Sequence, residues 1–133
     1  MTPTARAYLD KARDDLDEAD KIAAIGLAKA AARSAYYAAF HAAEAFIVER
    51  TGKVAKTHAG VRSEFARLAL DALGGDRTFT SFLVEAYKYK ELGDYGVGPD
   101  ATVTLVEARR MIVDARRFLE GVSALLECGG DNL

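Results

Sequence analysis

The sequence predicts an all-α protein, an up-and-down helical bundle of about five helices built as one domain. Three observations predict it. No run alternates apolar and polar residues strictly enough to make a strand. Long stretches instead repeat apolar residues at spacings of three and four. The segment from Ala32 to Phe46 is alanine-rich, free of Gly and Pro, and apolar all the way round, so it reads as one helix in the middle of a bundle. With 133 residues, half of them hydrophobic, the chain suffices for a core of its own.

The first helix opens at Pro3, a favoured first-turn residue behind a Thr2 cap, and its apolar stripe is Leu9, Ala12, Leu16, Ala19, Ile22 and Ala23. Asp10, Asp14, Asp17 and Lys21 occupy the opposite, solvated face. Gly26 marks a short connection. The second helix runs from about Leu27 to Arg50 and stops at Thr51-Gly52. After a polar loop, Lys53 to Lys56, Thr57 caps a third helix that carries Val61, Phe65, Leu68, Ala69 and Ala72 and ends at Gly74-Gly75. The fourth opens near Thr78 or Thr80 and buries Phe79, Phe82, Leu83 and Ala86. Gly93 to Asp100, with three glycines and a proline, reads as a loop. The last helix starts with a capping box, Thr104 and Glu107, stapled by Val103 and Ala108. Its stripe is Leu105, Ala108, Ile112, Ala115, Leu119, Val122 and Leu126. Short connections favour antiparallel neighbours. The domain is expected to span 1–127, with 128–133 a disordered tail.

Composition narrows the function classes. A net charge of -2 gives no support to nucleic-acid binding by bulk charge and leaves a local patch open, with Lys56, Arg62, Lys88 and Lys90 as its candidate cations. The single cysteine, Cys128, excludes an internal disulfide and a cysteine metal cluster and fits a reducing compartment. The N-terminus carries no apolar signal segment and no run reaches the roughly 18 apolar residues of a membrane span, so a cytoplasmic protein without membrane contact is expected. The only histidines are His41 and His58, and neither sits in an HExxH or Glu-x-x-His pattern. P-loop, GxGxxG and Gly-x-Ser-x-Gly patterns are absent as well. Neither metal nor cofactor is expected.

Three polar clusters remain. On the second helix Arg33, Tyr37, Phe40 and Glu44 project within roughly 60° of one another. A buried arginine without partners is costly, so Arg33, Tyr37, His41 and Glu44 are expected to form a structural polar network that locks the central helix to its neighbours. Tyr37→Phe should then cost about 1 kcal/mol, one hydrogen bond. The second cluster, Lys56-Thr57-His58, opens the third helix. The third, Tyr87-Lys88-Tyr89-Lys90, runs into Gly93-Asp94-Tyr95-Gly96. It mixes cations and aromatics, as phosphate and base contacts require. A helix end with snorkelling lysines has the same composition.

The stretches Arg33-Ser34-Ala35-Tyr36-Tyr37-Ala38-Ala39-Phe40-His41-Ala42, Lys56-Thr57-His58-Ala59-Gly60-Val61 and Lys90-Glu91-Leu92-Gly93-Asp94-Tyr95-Gly96 together resemble the HEPN superfamily (higher eukaryotes and prokaryotes nucleotide-binding). The likeness is to its small stand-alone bacterial and archaeal branch and covers most of the chain. It implies an all-α bundle, a homodimer, and frequent partnership with a minimal nucleotidyltransferase in two-component toxin–antitoxin or defence modules. Many relatives are metal-independent endoribonucleases whose site is an arginine followed four to six residues later by a histidine. There the histidine assists proton transfer at a ribose 2′-hydroxyl and the arginine stabilises the phosphorane charge.

This chain departs from that pattern. Seven residues separate Arg33 from His41, and seven separate Arg50 from His58. At the usual place of the motif, before the last long helix, stand Lys90, Asp94 and Tyr95. A lysine holds phosphate as a point charge without arginine's fork. An aspartate with a pKa of about 3.9 repels phosphate and is a poor acid at neutral pH. The first reading is therefore a HEPN module with a degenerate catalytic motif, binding nucleotide, RNA or a nucleotidyltransferase partner near Lys90, Asp94, Tyr95, Lys56 and His58. One alternative is a metal-independent endoribonuclease with a rearranged site of Lys90, Tyr95 and His58. The other is a non-catalytic structural or neutralising subunit of a partner enzyme.

Overall fold

The structure is a computed structural model that describes residues 1–130. It consists of α1 (Pro3–Ala24), α2 (Ala28–Thr51), α3 (His58–Ala72), α4 (Thr78–Tyr95) and α5 (Leu105–Gly130), with a 3-10 turn at Pro99–Ala101. No strand occurs among the described residues. The helices begin where their caps place them. The Ala5 amide donates to Thr2 Oγ1 at 3.2 Å, and the Gly60 amide to Thr57 Oγ1 at 2.9 Å. The Thr104–Glu107 capping box is reciprocal, with the Thr104 amide donating to Glu107 Oε1 at 3.0 Å and the Glu107 amide to Thr104 Oγ1 at 3.1 Å.

α2 is the central rod. Its alanines from Ala31 to Ala45 are all buried, and α1 lies closely along it through Leu9, Ala12, Leu16 and Ala19. Small side chains on both helices let the backbones approach. The rest of the core is aromatic. Phe118 of α5 lies 5.2 Å from Phe65, 5.4 Å from Phe79 and 5.9 Å from Phe82, and Phe46 lies 5.6 Å from Phe65. Fully burying one such ring contributes about 1.5–3 kcal/mol. Phe118 falls outside the stripe predicted for the last helix, yet it is the ring that α3 and α4 share.

Consecutive helices reverse direction at every connection except α2 to α3. Tyr36 meets His58 and Phe46 meets Phe65, at 5.7 and 5.6 Å between ring centres, so α3 runs in the same sense as α2. The extended Lys53–Thr57 segment makes this possible, because five residues at about 3.3 Å each carry the chain back along the last turns of α2. α4 then runs back past α2, bringing Asp94 to Arg33 at 3.7 Å.

Two boundaries differ from expectation. Gly93, Asp94 and Tyr95 belong to α4, and the loop starts at Gly96. Lys90 Nζ and Asp94 Oδ2 pair at 3.0 Å across that turn and hold it helical. Gly93 serves a close approach, since a Cβ there would lie 2.7 Å from Lys29 Cγ. At the other boundary α5 continues past residue 127 to Gly130, into the segment expected as a tail; residues 131–133 lie outside the described residues. No helix among the described residues is long and apolar enough to cross a membrane.

Candidate functional site

The return of the chain before α3 sets His58 against the middle of α2. There the imidazole is enclosed by rings from two helices: Phe40 at 4.7 Å, Tyr36 at 5.7 Å and Tyr37 at 6.0 Å on α2, and Tyr87 at 5.6 Å on α4. The Tyr36 hydroxyl lies 2.6 Å from His58 Nδ1. Tyr36 is fully buried, and burial keeps its phenol protonated far above the ordinary tyrosine range. No other hydrogen-bond acceptor for that proton occurs among the described residues, so the phenol is assigned as the donor to Nδ1, which puts the imidazole proton on Nε2. Burial lowers the His58 pKa, and the Lys90 and Arg62 charges lower it further against the opposing pull of Glu91. His58 is a neutral N–H donor at physiological pH.

α4 supplies the second part. Lys90 is 8% exposed, and its ammonium sits 3.0 Å from Asp94 and 4.0 Å from Glu91. Burial disfavours the charge, but the Asp94 hydrogen bond, with Tyr37, Asp94 and Glu91 nearby, raises the Lys90 pKa above the ordinary lysine value. The ammonium lies 6.0 Å from the Tyr87 ring and 5.8 Å from the Tyr95 ring. Tyr95 itself is 72% exposed. Arg62, one turn beyond His58, lays its guanidinium 4.0 Å from the centre of the Tyr87 ring.

The structure divides the polar stripe of α2. Arg33 is not buried. Its exposed guanidinium pairs with Asp94 at 3.7 Å and stands 5.5 Å from the Tyr37 ring. Tyr37 has no hydrogen bond among the described residues; the bond expected of it belongs to Tyr36. Its ring packs beside His41 at 5.9 Å. His41 Nδ1 is held by Asp15 Oδ2 of α1 at 2.5 Å, and Ser34 Oγ donates to the Asp15 carbonyl at 2.7 Å. Glu44 is buried 3.9 Å from His41 Nε2, and burial pushes its carboxyl up to about 7 against the pull of Lys11.

The structure thus brings His58, Lys90, Asp94 and Arg33 together with Tyr37. Lys56 stays exposed in the loop before α3. Of the four candidate cations, Arg62 and Lys90 flank Tyr87, while Lys56 and Lys88 remain on the exposed surface. Tyr36 is the member that sequence reasoning left without a role. Arg62 was expected only as a patch cation and Tyr87 only as a cluster aromatic; their pairing with His58 was not foreseen, and the i, i+4 relation of His58 and Arg62 was the available signal. No group of three or more His, Cys, Asp or Glu suited to a metal ion occurs among the described residues. The arrangement offers N–H donors and an exposed ring, which suit an oxyanion and a flat base.

Comparison with known proteins bears on the same geometry. Comparison with curated proteins yields no match. The fold is similar to that of TT1696 from Thermus thermophilus, a crystal structure at 26% identity and a TM-score of 0.79, over 93% of this chain and 99% of that one. The HEPN domain model matches residues 5–125, which include α2, the His58 turn and the Lys90–Asp94 pair. The chain belongs to the HEPN domain family.

Proposed function

We propose that this HEPN protein binds RNA or a nucleotide beside Lys90, Asp94 and Tyr95 without cleaving it, as one half of a two-component toxin–antitoxin or defence module with a nucleotidyltransferase. Membership of the family supports a nucleotide- or RNA-related role. One observation carries the absence of cleavage. No arginine stands four to six residues before His41 or His58, and the histidine nearest the degenerate motif has its Nδ1 engaged by the buried Tyr36 hydroxyl at 2.6 Å. Recognition is better served: exposed Tyr95 offers a stacking face, and Lys90 stands 5.8 Å from it for a phosphate. A homodimer belongs to the same proposal, since Leu27, Tyr95 and Val97 expose apolar surface at one end of the bundle.

Fluorescence anisotropy with labelled single-stranded RNA and labelled AMP, in EDTA, tests the reading. Tyr95→Ala should weaken RNA binding by about 5- to 100-fold, the worth of one stacked base, and the RNA should remain intact. Cleavage in EDTA abolished by Lys90→Ala would replace this proposal with the rearranged nuclease. No binding, together with stoichiometric co-purification of a nucleotidyltransferase, would replace it with the structural subunit.

A further inference from the structure

Arg62 holds the one side-chain nitrogen or oxygen among the described residues that is sealed from water and has no hydrogen-bond partner, Nη1. Such an orphan donor is costly and calls for an explanation. Its surroundings supply one. Arg62 follows His58 by one helical turn, so both project from the same face of α3. The guanidinium lies 4.0 Å from the centre of the Tyr87 ring, and the same ring has His58 at 5.6 Å and the Lys90 ammonium at 6.0 Å. Three N–H donors therefore gather round one phenol. The carboxylates facing them are already engaged: Asp94 by Lys90 at 3.0 Å and Arg33 at 3.7 Å, Glu91 by Lys90 at 4.0 Å.

We propose that Arg62 takes the phosphate oxyanion of the bound ligand, with Lys90 and the Nε2 proton of His58 as the accompanying donors. This rests on the binding reading above and names the group that supplies its missing arginine. Lys90 alone offers a point charge; the guanidinium adds a planar fork that matches two phosphate oxygens. Arg62 as a whole is only half-buried, so a turn of its terminal bonds over the Tyr87 face would carry Nη1 toward solvent and a ligand there. Both cations stand close enough to His58 to lower its pKa. The phosphate is either a monoester on a free nucleotide or a diester within RNA.

The test uses AMP and a single-stranded RNA as separate probes, with the parent, Arg62→Gln and Arg62→Lys proteins. Arg62→Gln should weaken binding of the cognate probe at least about tenfold, Arg62→Lys should recover part of it, and the slope of log affinity against log salt for RNA should fall by about one in Arg62→Gln. Loss on both probes assigns the phosphate generally; loss on RNA alone assigns the diester. A second readout is the His58 imidazole titration followed by NMR in the parent. Ligand phosphate beside Nε2 should raise that pKa, and this measurement decides the matter should Arg62→Gln fail to fold. Equal binding by Arg62→Gln while Tyr95→Ala weakens it, or a His58 titration unmoved by bound ligand, overturns the role of Arg62 and leaves the site reading standing. A parent protein that binds neither probe overturns both.

Discussion

Glu44 gives this bundle a pH-dependent stability that one substitution removes. The carboxyl is 8% exposed in the middle of α2, and burial raises its pKa from an ordinary value of 4.5 to about 7, with Lys11 of α1 pulling the other way. In the unfolded chain the same group loses its proton near its ordinary value. Between those two values the folded state binds more protons, so stability falls as pH rises, and the loss is complete above pH 7. At about 1.36 kcal/mol per pKa unit the full loss is at most about 3 kcal/mol. Glu44→Gln keeps the shape and removes the titration. It should match the parent near pH 4 and exceed its stability by about 2–3 kcal/mol at pH 8. The assay is urea denaturation at several pH values, with the midpoint read at constant m. Parallel stability curves for the two proteins from pH 4 to pH 8 would refute the assignment of the raised pKa to Glu44.

Other substitutions probe the frame around the site. Tyr36→Phe removes the hydroxyl that His58 Nδ1 receives at 2.6 Å, leaving a part-buried nitrogen unpaired, and should cost about 1–3 kcal/mol by thermal or chemical denaturation. Tyr37→Phe, with no hydroxyl bond to lose, should be nearly neutral in the same measurement. A Cβ on Gly121 would overlap the Phe79 ring that packs against it, so Gly121→Ala should destabilise the α4–α5 contact by about 1–3 kcal/mol, read as a fall in the urea midpoint. Thr104→Ala breaks the capping box of α5 and should cost about 1 kcal/mol, with accelerated hydrogen exchange confined to the first turn of that helix.

The helices could be read from the chain because their signals are local. Thr2, Thr57 and Thr104 mark starts through side-chain bonds to amides three residues away, and these contacts depend on nothing outside the helix they open. The stripe of α1 could be read for the same reason: one face is wet and the other dry, so spacing alone separates Leu9 and Leu16 from Asp10 and Asp17. The reading failed where a tertiary contact outweighs local preference. Gly93 looked like a loop residue, yet the Lys90–Asp94 pair and the approach of Lys29 keep it helical.

α2 defeats pattern reasoning for a different reason. A helix buried on all sides has no dry face to define by contrast, so a helical wheel groups Arg33, Tyr37 and Glu44 by angle without indicating which side meets solvent. The structure shows that Arg33 projects outward in the early turns while Glu44 lies buried further along. The adjacent tyrosines separate in the same way, since about 100° of rotation turns Tyr36 toward α3 and leaves Tyr37 beside His41. Only the direction of α3 reveals that His58 is Tyr36's partner, and that direction follows from an extended five-residue return along α2. Had α3 run antiparallel to α2, as short connections favour, His58 would lie near the end of α2 and Arg62 would face other rings. The same parallel return brings Tyr36, His58, Arg62 and Tyr87 into one cluster. Lys53–Thr57 is therefore the segment whose length sets the site: a deletion there that prevents the return should release the Tyr36–His58 bond before it unfolds the α1–α2–α5 core.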